Sequence, residues 1–181
     1  SFITEEKGII NNLNKDIFWI IDPIDGTTNF LHGIPHFAIS IALQLENEII
    51  CGLVFDPIKN EMFYGEKNNG SFFNNQRIRV SNKNNLDECL FATNHLGIKH
   101  SKLNLRYTGC SALDLAYVGS GRLDGFFQNN INLWDVAAGV IIVKEAGGKV
   151  NDISKFKIDK VNIRASSNNI HSKMLEKLKN F

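Results

Sequence analysis

Ile17-Phe18-Trp19-Ile20-Ile21 is an unbroken apolar run, β-branched and aromatic, and it ends abruptly at Asp22-Pro23. So short a run with no polar alternation reads as a buried strand that the aspartate and proline stop. Residues 37–45 and 49–55 read as two further strands, separated by the polar hairpin turn Glu46-Asn47-Glu48. Met62-Phe63-Tyr64 and Ser71-Phe72-Phe73 suggest another hairpin pair, with Arg77-Ile78-Arg79-Val80 after it. Strands in such succession predict a largely antiparallel sheet.

The second half has a different pattern. Residues 111–119 carry Leu113, Ala116 and Tyr117 on one helical face, and 124–127 reads as a brief strand. Trp134 to Ala146 is expected to be an amphipathic helix that Gly147-Gly148 ends. A strand over 162–165 and a helix over 169–178 complete the chain. No repeat or linker interrupts it, so residues 1–181 read as one α/β domain, an α+β layering with strands first and helices later. Its 181 residues, 43% hydrophobic, suffice for a substantial core.

Charge narrows the function classes. A formal net charge of +1 gives no general reason to expect a nucleic-acid partner, and the small cluster Lys155, Lys157 and Lys160 reads as a solvated face. Cys51, Cys89 and Cys110 are odd in number and widely spaced, so neither a zinc site nor a disulfide framework is expected, and a reducing, cytoplasmic location is. No apolar run reaches the roughly 18 to 20 residues that span a bilayer. Residues 1–16 are too polar for a signal peptide, and a first residue other than Met suggests a fragment or a processed product.

The chemistry is concentrated in Asp22-Pro23-Ile24-Asp25-Gly26-Thr27-Thr28-Asn29-Phe30. Two carboxylates flanking a stiff Pro-Ile step can point into one cavity, and the Ile24 carbonyl adds a hard oxygen donor. Magnesium takes oxygen ligands at roughly 2.0–2.1 Å. Two such ions about 3.5–4 Å apart can clamp the attacking and leaving oxygens of a phosphoryl displacement. Gly26 lets the backbone approach an anion, and the Thr27 hydroxyl is placed to hold water. Asp-Pro and Asp-Gly alone are ordinary turn dipeptides; behind a buried strand, the whole nonapeptide is read as a site.

Other candidates fall away. His32 and His36 are four apart, but Gly33 and Pro35 between them forbid a helical zinc site. Gly119-Ser120-Gly121-Arg122 follows a helix instead of a strand and is not a dinucleotide loop.

Asp22 to Phe30 resembles the signature loop of the inositol monophosphatase family. Thr4-Glu5-Glu6 is similar to the family's upstream Gly-Glu-Glu motif, and Trp134-Asp135-Val136-Ala137-Ala138-Gly139 with Glu145-Ala146-Gly147-Gly148 resembles its C-terminal signature. The resemblance implies an inositol-monophosphatase-like sugar-phosphatase fold and Mg2+ as cofactor. Glu5, Asp22 and the Ile24 carbonyl would hold one ion, and Asp22, Asp25 and Asp135 another. Glu5 and Thr27 would act as catalytic residues on the attacking water, and the Gly26 and Thr27 amides would bind phosphate. Gly109, Cys110 and Ser111 would meet the alcohol portion of the substrate, together with Asp25, Asp135 and Gln128, the last standing where the family usually has glutamate.

The implied activity is hydrolysis of a small phosphate monoester, an inositol monophosphate first, with Thr28 favouring that branch over bisphosphate nucleotides. Histidinol phosphate and sugar phosphates are alternatives within enzymes. A binding module acting on transcription complexes and an inactive remnant are the alternatives outside them. The family's two N-terminal helices have no counterpart before Ser1, so exposed apolar surface is expected, and a homodimer is among the expected assemblies.

Overall fold

The structure is a computed structural model that describes residues 1–10, 16–94, 103–151 and 160–179. Lys155 and Lys157, read above as part of a solvated face, lie outside the described residues. Chain order opens with β1 (Phe2–Thr4), β2 (Gly8–Ile10), β3 (Ile17–Asp25) and the short helix α1 (Thr27–Leu31). Next come β4 (Ala38–Leu45), β5 (Glu48–Asp56), β6 (Glu61–Glu66), β7 (Gly70–Phe73) and β8 (Gln76–Arg77). These strands form one eight-stranded sheet in the order β2-β1-β3-β4-β5-β6-β7-β8. It is antiparallel as expected, except that β1 runs parallel to β3.

Two expectations need correction here. Asp22-Pro23 does not stop the strand, because β3 continues to Asp25 through a bulge that accommodates the proline. The strand read at Arg77–Val80 is only Gln76–Arg77; Val80 leaves the ladder, and its N–H donates to the Ala146 carbonyl at 3.2 Å. β1 was not foreseen, since three residues are too few to show alternation.

The second sheet is built from β9 (Leu90–Ala92), β10 (Asn104–Arg106), β11 (Gly125–Ile131), β12 (Lys149–Val150) and β13 (Val161–Ser166), ordered β10-β9-β11-β13-β12. Between the two sheets lie α2 (Ser111–Gly119) and α3 (Leu133–Glu145). The last helix, α4 (His171–Lys177), covers the far face of the smaller sheet, where Met174 and Ile170 join Phe91 and Phe127.

Helix α3 is not amphipathic as the sequence suggested. From Val136 to Val143 every side chain is buried, because a helix between two sheets has no wet face. Small residues let it sit close. A Cβ on Gly52 would come 2.7 Å from the Ala138 Cα, and one on Gly139 would come 2.4 Å from the Leu115 Cβ of α2. On the other face of the large sheet, Ile21, Ile41, Leu53, Met62, Tyr64 and Phe72 are half-buried. Two apolar grooves run there, one between Leu53, Met62, Tyr64 and Phe72, the other between Phe2, Ile10, Ile21 and Pro23.

Candidate metal centre

Strand alternation places Ile20 and Asp22 on the helix-facing side of the large sheet, opposite Ala42 and Ser40. Asp25, three residues on, would point to the other face in a regular strand. The bulge corrects this: Asp22 pairs with Ser40 and Asp25 with Ala38, so β3 advances three residues while β4 advances two. Both carboxylates therefore face inward. The Ile24 N–H donates to Asp22 Oδ1 at 2.9 Å and stiffens the bulge.

Asp135 arrives from the first turn of α3, where Asn132 Nδ2 donates to its Oδ2 at 3.3 Å. One oxygen each from Asp22, Asp25 and Asp135 lies within 4.8 Å of the others. Asp22 is 2% exposed and Asp25 8%. Among the described residues, no lysine or arginine pairs with any of the three. Buried anions without a counter-cation are costly.

The acidities reflect that cost. Burial pushes the Asp22 carboxyl up to about 7, with the Glu5 and Asp135 charges adding to the rise and the Ile24 N–H opposing it. Burial also lifts Asp25 to about 7, although the Ala112 N–H and the Cys110 thiol favour its anion. Asp135 rises to about 7 through burial and then through the charge of Asp25. All-oxygen donors, converging and lacking a partner cation among the described residues, fit a hard divalent ion.

The other sequence-derived residues surround this triad. Glu5 lies in the turn after β1; Thr4 pairs with Ile21, which brings Glu5 level with Asp22. It is exposed and stands beside the triad, its charge acting on both Asp22 and Asp135. The Thr27 hydroxyl donates to the Ile24 carbonyl at 2.9 Å, joining two predicted site residues. Gly26 caps α1 in the left-handed region, φ +90°, and a Cβ there would sit 3.1 Å from the His36 carbonyl.

Gly109, Cys110 and Ser111 form the entry to α2. Ala112 N–H donates to Asp25 Oδ2 at 2.6 Å, and Cys110 Sγ lies 3.1 Å from the same oxygen. Burial pushes the Cys110 thiol far up, so it stays protonated. Gln128 on β11 is turned toward this region, its Oε1 accepting from the Asn94 N–H at 2.9 Å.

Sequence reasoning missed several supporting residues. Asn29 Nδ2 donates to the His36 carbonyl at 2.8 Å and to the Thr108 carbonyl at 2.9 Å, binding the signature loop to the α2 entry. Asp114, wholly buried, accepts from the Thr108 hydroxyl at 2.8 Å, and burial raises its pKa well above the carboxylate range. Asn94 contacts Gly109, Ser111 and Gln128 together. Asn29 lies inside the signature loop and was visible there; Asn94 and Thr108 carry no local pattern at all.

Comparison with known proteins agrees with this geometry. Residues 1–180 match the model of the inositol monophosphatase family. The chain is 40% identical to the inositol-1-monophosphatase of Caulobacter vibrioides over 98% of this chain and 77% of that protein. It is also 40% identical to the Nus factor SuhB of Escherichia coli over 85% of this chain, spanning 63% of that protein, less than two thirds of its length. The solved inositol monophosphatase of Anabaena superposes with a TM-score of 0.91 at 36% identity, covering 99% of this chain and 78% of that one. With residues 1–180 matching the family model, and with the acidic triad assembled from the end of β3 and the first turn of α3, the chain belongs to the inositol monophosphatase family.

Proposed function

We propose that this chain hydrolyses a small phosphate monoester, with an inositol monophosphate as the first candidate, in a reaction that depends on Mg2+. The observation that carries the reading is the inward-facing triad of buried Asp22 and Asp25 with half-buried Asp135, which no cation among the described residues pairs with. Asp22, Asp25, Asp135, Glu5 and the Ile24 carbonyl are the oxygen donors that would hold the metal. When bound, Mg2+ supplies neutralising charge toward the phosphoryl oxygens and acidifies water.

The chain's own groups do the rest. Thr27 gives its hydroxyl hydrogen to Ile24, so its lone pairs are left to accept from an attacking water and aim it. Glu5, exposed beside Asp22, takes the proton that water gives up. The water oxygen bonds to phosphorus as the ester P–O bond breaks; the leaving alkoxide takes a proton from a solvent water and departs as the alcohol, and the proton held by Glu5 returns to solvent. The Gly26 and Thr27 amides bind the phosphoryl oxygens, and Gly109, Cys110, Ser111 and Gln128 line the side toward the alcohol. Three unpaired cysteines fit a reducing compartment such as the cytoplasm.

The test is phosphate release from a panel of monoesters with Mg2+, on this chain and on Asp22→Asn. Activity that needs Mg2+ and disappears in the variant supports the reading; equal activity in both would sink it. A second reading, a binding module of the kind named for the Nus factor relative, rests on that 40% identity. Asp25→Asn separates the two, since a binding role survives loss of the metal and a hydrolytic role does not.

A further inference from the structure

We infer that Asn94 is the positioning residue for the alcohol side of the substrate site and that it fixes which way the hydrogen bonds of that wall run. The inference rests on the reading that Gly109, Ser111 and Gln128 face the alcohol portion of a phosphate monoester. Asn94 is the only residue among those described that hydrogen-bonds to all three. Its N–H donates to Gln128 Oε1 at 2.9 Å, its Oδ1 accepts from the Gly109 N–H at 2.9 Å, and its Nδ2 donates to Ser111 Oγ at 3.1 Å.

The direction of each bond follows from two backbone groups. A peptide N–H can only donate. The Asn94 N–H therefore requires the oxygen of Gln128 to face it, and that oxygen also accepts from Thr93 Oγ1 at 3.3 Å. The Gly109 N–H requires the oxygen of Asn94, which turns the Asn94 amide nitrogen toward Ser111 and makes the Ser111 oxygen the acceptor. What remains to give is the hydroxyl hydrogen of Ser111, the second amide hydrogen of Asn94 and the second amide hydrogen of Gln128, whose first is directed at the Asn129 carbonyl at 3.4 Å.

The wall thus offers donors. It suits an alcohol portion rich in lone pairs, a polyol phosphate, over one with an apolar or cationic group next to the ester. Gln128, with its acceptor oxygen already engaged on Asn94 and Thr93, serves the substrate through N–H and not through C=O.

The test compares Asn94→Ala and Asn94→Asp with the unaltered chain, using inositol monophosphate as substrate, inorganic phosphate as inhibitor and calorimetric titration with Mg2+. Asn94→Ala loses both side-chain bonds and is expected to raise KM for inositol monophosphate about tenfold, the scale of one or two hydrogen bonds. Its kcat, its inhibition by phosphate and its Mg2+ affinity stay within about twofold, because the triad and the phosphate amides do not touch Asn94. Asn94→Asp keeps the acceptor for Gly109 and loses the donor to Ser111, so a smaller rise of about threefold is expected. An unchanged KM in both variants, or KM and phosphate inhibition weakened in equal proportion, overturns the inference. A lowered melting temperature with unchanged KM also overturns it, by making Asn94 merely structural. If the unaltered chain hydrolyses no monoester while still binding Mg2+, the proposed function fails, and the inference falls with it.

Discussion

Ser40 donates its hydroxyl to the Trp134 carbonyl at 3.2 Å, fastening the first turn of α3 to β4 directly opposite Asp22. The residue after Trp134 is Asp135, so this bond sets the distance between the two halves of the acidic triad. Ser40→Ala is expected to cost about 1 kcal/mol of stability, a typical net value for one hydrogen bond. It should also weaken Mg2+ binding several-fold while leaving the fold intact. Thermal unfolding and Mg2+ calorimetry read the two effects, and unaltered Mg2+ affinity would show that α3 is held in place by packing alone.

The triad makes stability, and the metal binding proposed for it, depend on pH. Asp22, Asp25 and Asp135 rise from the ordinary carboxylate value of 3.8 to about 7 in the folded chain. Between those values the folded state holds protons that the unfolded state has released, so raising the pH favours unfolding. The metal-free chain is therefore expected to be more stable near pH 4 than near pH 7 as far as these three groups contribute. A divalent ion must displace the same protons. Mg2+ affinity should then rise with pH up to about 7, with proton release on binding, measured by calorimetry in buffers of different ionisation enthalpy. Affinity that is flat from pH 5.5 to 8 would falsify the account.

Gly26 is required by conformation and by space. At φ +90° a side chain is strained, and its Cβ would press on the His36 carbonyl at 3.1 Å and on Cys110 Cβ at 3.3 Å. Gly26→Ala is expected to destabilise the chain by about 1–2 kcal/mol and to lower hydrolysis more than stability, since the displaced backbone carries the amides proposed above to bind phosphate. Chemical denaturation alongside a phosphate-release assay checks both.

Gly139 tests the packing of the central layer. Its Cβ would fall 2.4 Å from the Leu115 Cβ, so Gly139→Ala must push α2 away from α3. Overpacking of this kind costs about 1–3 kcal/mol. Because α2 also delivers the Ala112 N–H to Asp25, Mg2+ affinity should fall along with the denaturation midpoint. A midpoint equal to that of the unaltered chain would show that α2 shifts away from α3 without loss of packing.

The apolar run at Ile17–Ile21, the signature loop after it and the helix at 111–119 were all legible from neighbouring residues, because propensity, turn chemistry and periodicity act over a few positions. So was the uneven division of the chain, with most strands in its first half and the longer helices in its second, although α1 precedes β4 and β11 to β13 follow α2. The central helix was found but its burial was misjudged, since its wet or dry character depends on a second sheet formed far away in the chain.

The sequence alone therefore determined which oxygens the chain owns and which loop carries most of them. The tertiary structure decided the rest: that a bulge turns Asp25 to the same side as Asp22, that Ser40 holds Trp134 from 94 positions away, and that Asn94 binds Gly109, Ser111 and Gln128 into one wall. Local patterns fix what a segment becomes, whereas convergence of distant side chains is a property of packing, which no short stretch of sequence contains.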